Sequence, residues 1–363
     1  MMRILLLGGT GAMGIHLVDI LSAKNTNEVW VTSRSNREST KKNVIYVKGN
    51  AMDDCFLYPL IEKQKFDVIV DFMTYRFEQL ANRLPILLAA TKQYVFLSSA
   101  RVFSSVELPI KESSPRLLEV CHDEEYLATE EYSLAKAREE DLFKNQTSRN
   151  YTIVRPYITY SENRLQLGVL EKEDWLYRTL KGRSIVFSRD IAEKYTTLTY
   201  GYDVSSAIEK LIGNERAVGE SINVMHTEAV KWGEILSLYV TLLAELTGKT
   251  PRVVMTDTAI NLHYPDRKWQ VLYDRCLDRK FNTEKLMSII GQHQFVDIKT
   301  GLKMALEGFL KHPSYRNIDW KAEAIRDKMS GDVASIMEIP GKKMKLKYLY
   351  WRFLCKTENL YNL

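Results

Sequence analysis

Short apolar runs, separated by longer stretches in which apolar and polar residues alternate, make up the first 160 residues. The first run, residues 4–7, holds only branched or long apolar side chains, as in a strand buried on both faces of a parallel sheet. Further strands are predicted at residues 28–32, 44–47, 66–72, 94–97 and 151–154. Helical stretches separate them, and strands that alternate with helices predict βαβ units and a doubly wound parallel sheet.

A glycine-rich turn joins the first strand to a helix that begins at Ile15. Gly8, Gly11 and Gly14 have the spacing of a dinucleotide-binding turn. One glycine permits the bend, one lets the backbone approach a pyrophosphate, and one lets the helix pack closely against the strand. The N–H groups of the helix then face the phosphates. The predicted cofactor contacts include the intervening Thr10, Ala12 and Met13; a glycine-rich loop without a ligand is the alternative.

The residues after the second strand bear on the choice of cofactor. An acidic side chain there would bind the ribose hydroxyls and repel a 2′-phosphate, but the chain has Ser33 and Arg34. Both donate hydrogen bonds to phosphate, which favours NADP(H) over NAD(H). Stacking of Arg34 on the adenine ring is the alternative. Asn50 and Ala51, after the third strand, are predicted on the adenine side.

Three side chains further along suit proton and hydride transfer. Ser98 and Ser99 end the fifth strand, where ligands gather in a parallel sheet. Tyr132 and Lys136 lie one turn apart on a helix predicted from about residue 130 to 143. A nearby ammonium makes a tyrosine a better proton acceptor, so Tyr132 would take a proton from a hydroxyl whose oxygen Ser99 holds. Lys136 would hold the nicotinamide ribose. Alone, this tyrosine–lysine spacing is usually a solvated helix face.

Composition narrows the class of protein further. A net charge of +5 over 363 residues suits an anionic ligand such as a nucleotide, but nucleic-acid binders usually carry a denser basic face. The four cysteines lie far apart, so neither a zinc site nor a disulfide framework is expected. The histidines have no metal-ligand spacing. We therefore expect no metal. No apolar run has membrane-spanning length and no signal peptide precedes the first strand, so we expect a cytoplasmic protein.

Together these motifs resemble the extended short-chain dehydrogenase/reductase family, in its NAD-dependent epimerase/dehydratase branch, which acts on nucleotide sugars. The resemblance covers about residues 2–310 and rests on residues 8–14, 98–103, 112 with 115, 132–136 and 155–156. It implies a Rossmann-like sheet with a smaller, mixed α/β substrate-binding lobe. It also implies catalysis by Ser99, Tyr132 and Lys136, cofactor contacts at Phe72 and Pro156, and a homodimer packed through the Tyr132 helix and the helix before it.

The resemblance also suggests a domain plan. Residues 1–156 would form most of the dinucleotide-binding core, and residues 157–330 most of the substrate lobe, with some elements returning to the core. Substrate-facing stretches of the second half carry five basic residues, of which one or two would hold a diphosphate and most would be surface charges: Arg164, Arg178, Arg183, Arg189 and Lys194. Another charged region, residues 266–268 with 274–275, would border the same pocket.

The basic, aromatic tail, residues 331–363, stands apart. Its densest part, residues 342–354, could pack back as a final helix, lie on an anionic membrane or contact a partner.

Departures from the family pattern separate the possible reactions. Dehydratases of this family carry an Asp-Glu pair after the strand-five hydroxyl, whereas this chain has Ala100 and Arg101, so 4,6-dehydration is not expected. Residues 71–75 replace a small, alanine-rich segment and resemble a branch with chloroplast RNA-associated proteins. The leading hypothesis is a nucleotide-sugar epimerase that works through a transient ketone. The alternatives are an NADPH-dependent ketosugar reductase and a cofactor-binding, RNA-associated protein.

Overall fold

The computed structural model describes residues 1–262 and 267–355, and the chain divides into two compact units. The first unit comprises Met1–Thr159, Thr197–Thr227 and Lys280–Ile298. The second comprises Tyr160–Thr196, Glu228–Arg279 and Lys299–Leu363.

The elements follow in chain order. The strands are β1 Met2–Leu7, β2 Asn27–Ser33, β3 Val44–Lys48, β4 Phe66–Asp71, β5 Thr91–Leu97, β6 Tyr151–Arg155, β7 Thr159–Tyr160, β8 Ile185–Ser188, β9 Tyr195–Thr196, β10 Thr199–Tyr200, β11 Glu220–Asn223, β12 Val230–Lys231 and β13 Val253–Thr256. The helices are α1 Gly14–Ser22, α2 Asp54–Gln64, α3 Phe77–Ala89, α4 Leu117–Val120, α5 Glu124–Leu127, α6 Tyr132–Lys144, α7 Leu176–Leu180, α8 Arg189–Ala192, α9 Gly201–Leu211, α10 Trp232–Thr247, α11 Lys268–Gln270, α12 Glu284–Ile290, α13 Ile298–Lys311, α14 Trp320–Ser330 and α15 Gly341–Leu349. Short 3₁₀ turns lie at Ala100–Val102, Glu215–Ala217 and Ile260–Leu262, and π-helical turns at Val271–Arg275 and Tyr350–Leu354.

A parallel sheet forms the centre of the first unit and confirms the predicted doubly wound, Rossmann-like fold. Its order is β11-β6-β5-β4-β1-β2-β3. Ile4 and Leu6 of β1 pack into one apolar core and Leu5 and Leu7 into another, so β1 is buried on both faces. From β3 the chain crosses to β4 on the other side of β1. The order therefore reverses beside β1, and in open α/β sheets ligands bind at such a switch point.

The second unit contains small sheets and packed helices. β8 pairs in parallel with β13, and β9 pairs antiparallel with β12. The longest helix of this unit within the described residues is α10, whose buried Tyr239 ring lies 4.5 Å from the Trp175 ring. No helix in the described ranges is both long and apolar enough to cross a membrane.

The basic tail folds back within the second unit as α15. Tyr348 is fully buried, its hydroxyl donates to Asp327 Oδ2 at 2.5 Å and it accepts from the Ala334 amide at 2.7 Å. Trp320, Ile339 and Tyr348 belong to one apolar cluster. One side of the tail is therefore a packed final helix, as the first of the three sequence alternatives supposed.

Candidate active site

The three glycines of the first turn occupy different environments. Gly8 has a φ of +72°, a conformation that side chains rarely adopt, so it makes the bend. A Cβ on Gly14 would lie 2.5 Å from the Gly9 carbonyl carbon, so this position closes α1 onto the turn. A Cβ on Gly11 would meet only the Gly8 oxygen, at 3.8 Å, and Gly11 is exposed. Gly11 therefore offers the open backbone that a pyrophosphate needs.

The N-terminus of α1 faces the glycine turn, and the Ile15 amide donates to the Gly11 carbonyl at 3.1 Å. Its N-cap residue, Met13, makes no side-chain cap hydrogen bond. Thr10, Ala12 and Met13 are partly exposed beside Gly11. A helix N-terminus without a side-chain cap, together with the positive end of the helix dipole, suits an anion. These residues fit a dinucleotide pyrophosphate.

The predicted adenosine contacts lie at the ends of β2 and β3. Ser33 ends β2, and its buried hydroxyl donates to the Ser35 carbonyl at 2.9 Å, so it serves its own turn. Arg34 is exposed. Asn50 is also exposed, and its side-chain oxygen accepts from the Met52 amide at 3.1 Å.

A buried arginine that the sequence analysis missed holds the loop after β3. The Arg83 guanidinium of α3 donates to the Ala51 carbonyl at 2.9 Å, and it pairs with Asp54 at 2.6 Å. Phe72 follows β4, where its amide donates to the Leu7 carbonyl at 3.0 Å. This contact places Phe72 directly beside the end of β1. Pro156 is buried, and its carbonyl accepts from the Ala100 amide at 2.9 Å.

Arg101 connects two of the predicted catalytic residues. Ser99 caps the 3₁₀ turn after β5, its hydroxyl accepting from the Arg101 amide at 3.2 Å. The Arg101 guanidinium lies 5.3 Å from the centre of the Tyr132 ring and also pairs with Glu131, the N-cap residue of α6. Tyr132 is the first residue of α6 and is 38% exposed. The structure thus brings Ser99 and Tyr132 to the same end of β5, with a role for Arg101 that sequence reasoning did not assign.

Lys136 lies deeper than its predicted partner. It is 2% exposed, and its Nζ lies 2.8 Å from Glu139 Oε2 and 4.5 Å from the centre of the Phe96 ring in β5. Neither Lys136 Nζ nor Glu139 Oε2 has an aligned hydrogen-bond partner among the described residues. The contact is therefore an ion pair in which the ammonium keeps donors for a bound hydroxyl.

A second buried carboxyl group, Asp71, which was not assigned a role from the sequence, interacts electrostatically with Lys136. Asp71, at the end of β4, is fully buried and accepts from Tyr75 Oη at 2.6 Å, Tyr94 Oη at 2.5 Å and the Met73 amide at 2.8 Å. Burial raises the pKa of Asp71, and the three hydrogen bonds and the charge of Lys136 oppose that shift.

Burial also raises the pKa of Glu139, against the opposing effect of Lys136. We call Asp71, Lys136 and Glu139 the buried charge cluster. It holds two carboxyl groups and a single ammonium.

The paired serines after β5 differ in availability. The Ser98 hydroxyl donates to Glu140 Oε1 at 2.6 Å, and Arg155 binds both oxygens of the same carboxylate at 2.7 and 2.6 Å. All three are buried. The Ser98 hydroxyl therefore has a structural role, and Ser99 is the serine of this pair whose hydroxyl can bind a substrate.

Two of the basic residues suggested for the substrate side are buried inside the second unit. Arg178 is fully buried and pairs with Asp327 at 2.8 Å, and Arg183 lies 3.3 Å from Glu323. The expectation that they are surface charges or diphosphate ligands is wrong, because acidic side chains of α14 neutralise both. Asp266, of the charged region at residues 266–268, lies outside the described residues. No group of three or more metal-ligating side chains occurs in the described ranges.

Comparisons with known proteins show the family and the fold. Residues 4–224 match the family described as the NAD dependent epimerase/dehydratase family. The chain is similar in structure to the Bordetella bronchiseptica enzyme WbmH in complex with NAD+, with 13% identity, a TM-score of 0.65 and coverage of 86% of this chain and 100% of that one. It is also similar to a UDP-glucuronic acid 4-epimerase from Bacillus cereus in complex with UDP-glucuronic acid and NAD, with 15% identity, a TM-score of 0.64 and coverage of 85% and 99%.

A curated relative is similar in sequence. It is the chloroplast stem-loop binding protein of 41 kDa b from Arabidopsis thaliana, 24% identical over 238 residues. The match spans 61% of this chain and 58% of that relative. Because the family match alone covers more than half of the residues, the chain belongs to the NAD dependent epimerase/dehydratase family.

Proposed function

We propose that the protein is an NAD(P)-dependent nucleotide-sugar epimerase. The observation that carries this proposal is the link through Arg101, whose amide binds Ser99 and whose guanidinium lies over Tyr132. Ser99, a hydroxyl donor, and Tyr132, a proton acceptor, therefore both lie at the end of β5, in the unit that also contains the glycine turn. The bound nucleotide sugar and dinucleotide of the Bacillus cereus 4-epimerase give further support.

The roles of the residues follow from their chemistry. Tyr132 takes the proton of a sugar hydroxyl, and Ser99 donates a hydrogen bond to the same oxygen as it becomes a carbonyl. When bound, a nicotinamide would accept the hydride from that carbon and return it to the opposite face of the transient ketone. Tyr132 then gives the proton back, so the product is the epimer. Lys136 would hold the nicotinamide ribose with its remaining donors, and Gly11 with the N-terminus of α1 the pyrophosphate.

Reduction of a ketosugar by NADPH is the second candidate, and the exposed Arg34 favours it. An exposed guanidinium at the end of β2 suits a 2′-phosphate, so we propose a preference for NADP(H) over NAD(H). We do not propose dehydration, because Ala100 is fully buried and carries no titratable group, and Arg101 lies over Tyr132. A cofactor-binding, RNA-associated protein is the third candidate, and the name of the Arabidopsis relative, a stem-loop binding protein, supports it.

We further propose a cytoplasmic homodimer packed through α6 and the helix before it. The four cysteines show no disulfide or zinc spacing, which supports a reducing compartment. The dimer proposal rests on the family resemblance. Sedimentation velocity tests the dimer directly, because a monomer at all micromolar concentrations would contradict it.

The first experiment identifies what the purified protein holds. The protein is denatured, and released dinucleotides and nucleotide sugars are identified by mass spectrometry. Retained NAD+ supports the epimerase and contradicts the preference inferred from Arg34. An empty site that takes up NADPH on titration supports the reductase. If neither dinucleotide binds at millimolar concentration, the catalytic roles of Tyr132 and Lys136 are refuted.

A matched pair of variants then tests the role of Tyr132. Tyr132→Phe should retain dinucleotide binding but lose turnover of the nucleotide sugar by a factor of about 10² or more. Tyr350→Phe, an exposed position in the second unit, is the control and should keep full activity in an assay without lipid. Equal activity of the two variants would exclude Tyr132 as the proton acceptor.

A further inference from the structure

The tail helix has two faces of different character. Tyr348 and Cys355 are buried, and their side of the helix packs inside the second unit. Leu346, Tyr350 and Phe353 are 69%, 52% and 55% exposed. With Leu349 they follow the spacing i, i+3, i+4, i+7, which places them on one helix face. Leu354, at the end of the same turn, is 73% exposed. We call Leu346, Leu349, Tyr350, Phe353 and Leu354 the apolar tail face.

Basic residues accompany this face. Lys342, Lys343 and Lys347 are exposed on α15, and Lys345 is partly exposed. Between residues 333 and 355 the chain carries a single acidic residue, Glu338, which lies 3.3 Å from the Arg183 guanidinium within the unit. Positive charge next to the apolar tail face is therefore not neutralised by acidic residues of its own segment.

We propose that the apolar tail face docks the protein on an anionic lipid surface. A helix with large apolar side chains on one face and lysines around them lies in the plane of a bilayer interface. The apolar side chains enter the acyl boundary, and long lysine side chains extend to the headgroups. Each lysine near the surface gains from the negative potential of anionic lipids. The rest of the helix stays anchored through Tyr348, so binding requires no unfolding of the unit.

The occupant is a membrane because charge and apolar area occur together. A protein partner or a second copy would cover the apolar side chains, but four lysines around them favour a surface that is both apolar and anionic. This inference does not depend on the reaction that the first unit catalyses.

The test is co-sedimentation of the full chain with vesicles that contain one third phosphatidylglycerol in phosphatidylcholine. We expect binding to these vesicles at low salt, little binding to pure phosphatidylcholine, and weakening as salt screens the lysines. The charge variant Lys342→Glu/Lys343→Glu/Lys347→Glu should bind at least roughly tenfold more weakly. Its control, Lys63→Glu/Lys249→Glu/Lys299→Glu, makes the same change in net charge at exposed positions elsewhere and should bind like the original protein.

A second pair of variants tests the apolar side chains. Leu346→Ser/Leu354→Ser should lose vesicle binding, whereas the control Val106→Ser/Met304→Ser, also at exposed apolar positions, should keep it. Because both pairs change exposed residues, their melting temperatures should match that of the original protein. Failure to bind anionic vesicles would overturn the proposal, as would equal binding by test and control variants. Dissociation of an oligomer by the Leu346 and Leu354 changes, without vesicle binding, would assign the face to a second copy instead.

Discussion

Replacement of Lys136 by methionine separates a purely catalytic lysine from one that also holds the fold together. If Lys136 only contacted a cofactor, Lys136→Met would leave stability unchanged. In the structure its Nζ lies 2.8 Å from Glu139 Oε2, and both side chains are almost fully buried. At an effective dielectric constant of about 20, two unit charges at that separation attract each other by roughly 6 kcal/mol, which desolvation partly offsets. Removal of one partner leaves a buried charge uncompensated, so we expect a loss of about 3–5 kcal/mol in the free energy of unfolding.

Urea unfolding followed by far-UV circular dichroism measures this loss. The double variant Lys136→Met/Glu139→Gln removes both charges of the pair and should recover most of the stability, because neutral replacement of a buried pair is often tolerated. Lys144→Met is the control on the same helix: its partner Asp141 lies 3.1 Å away, but the two side chains are 52% and 38% exposed. That exposed pair should contribute less than about 1 kcal/mol.

The pH dependence provides an independent check. Burial raises the pKa of Asp71 and of Glu139, so the folded chain takes up protons at a higher pH than the unfolded chain does. In that window the folded state binds more protons, and stability falls as the pH rises. Without the ammonium, the two carboxyl groups lose the charge that opposes this shift. The deficit of Lys136→Met should therefore be larger at pH 8 than at pH 5. Unfolding midpoints that match the original protein at both pH values, or a double variant no more stable than the single one, would refute the buried charge cluster as a unit.

Three further predictions address the turn, the cofactor and the tail. Gly11→Ala should fold normally, since its Cβ has room, yet weaken dinucleotide binding measured by calorimetry; Gly14→Ala should lower the melting temperature, because its Cβ would lie 2.5 Å from the Gly9 carbonyl. Arg34→Asp should shift the ratio of dissociation constants from NADP(H) toward NAD(H) by at least roughly tenfold, and an unchanged ratio would exclude contact with the 2′-phosphate. Tyr348→Phe removes a hydroxyl bound to Asp327 and to the Ala334 amide, so urea unfolding should show a loss of about 1–3 kcal/mol, whereas no loss would contradict a packed tail.

Local sequence patterns predicted the first unit well. The apolar run of β1 indicates burial on both faces, and the structure distributes its alternating side chains between two cores. Gly8 and Gly14 could be recognised because no other residue suits either position. Gly8 has a positive φ, and a Cβ on Gly14 would collide with the Gly9 backbone. Their requirements are set by neighbours within a few residues, which is the range that pattern reasoning covers.

Charged residues of the second unit could not be assigned in this way. Arg178 and Arg183 look like surface or ligand-binding charges, because no local pattern distinguishes a solvated arginine from a buried one. Arg178 donates a hydrogen bond to Asp327, which is 149 residues away in the chain. Only the packing of α14 makes these arginines structural, and the same holds for Tyr348 in the tail.

The segment at residues 71–75 shows what a departure from the family pattern does physically. In the sequence, these residues replace the small, alanine-rich segment that is usual in the family. In the structure Asp71 is fully buried and Tyr75 donates to it at 2.6 Å. Asp71 also acts electrostatically on Lys136, whose other acidic neighbour is Glu139. The departure therefore supplies a second carboxyl group to the surroundings of the predicted catalytic lysine. Substitution of Asp71 should accordingly change the charge around Lys136 more than it changes the shape of a substrate pocket.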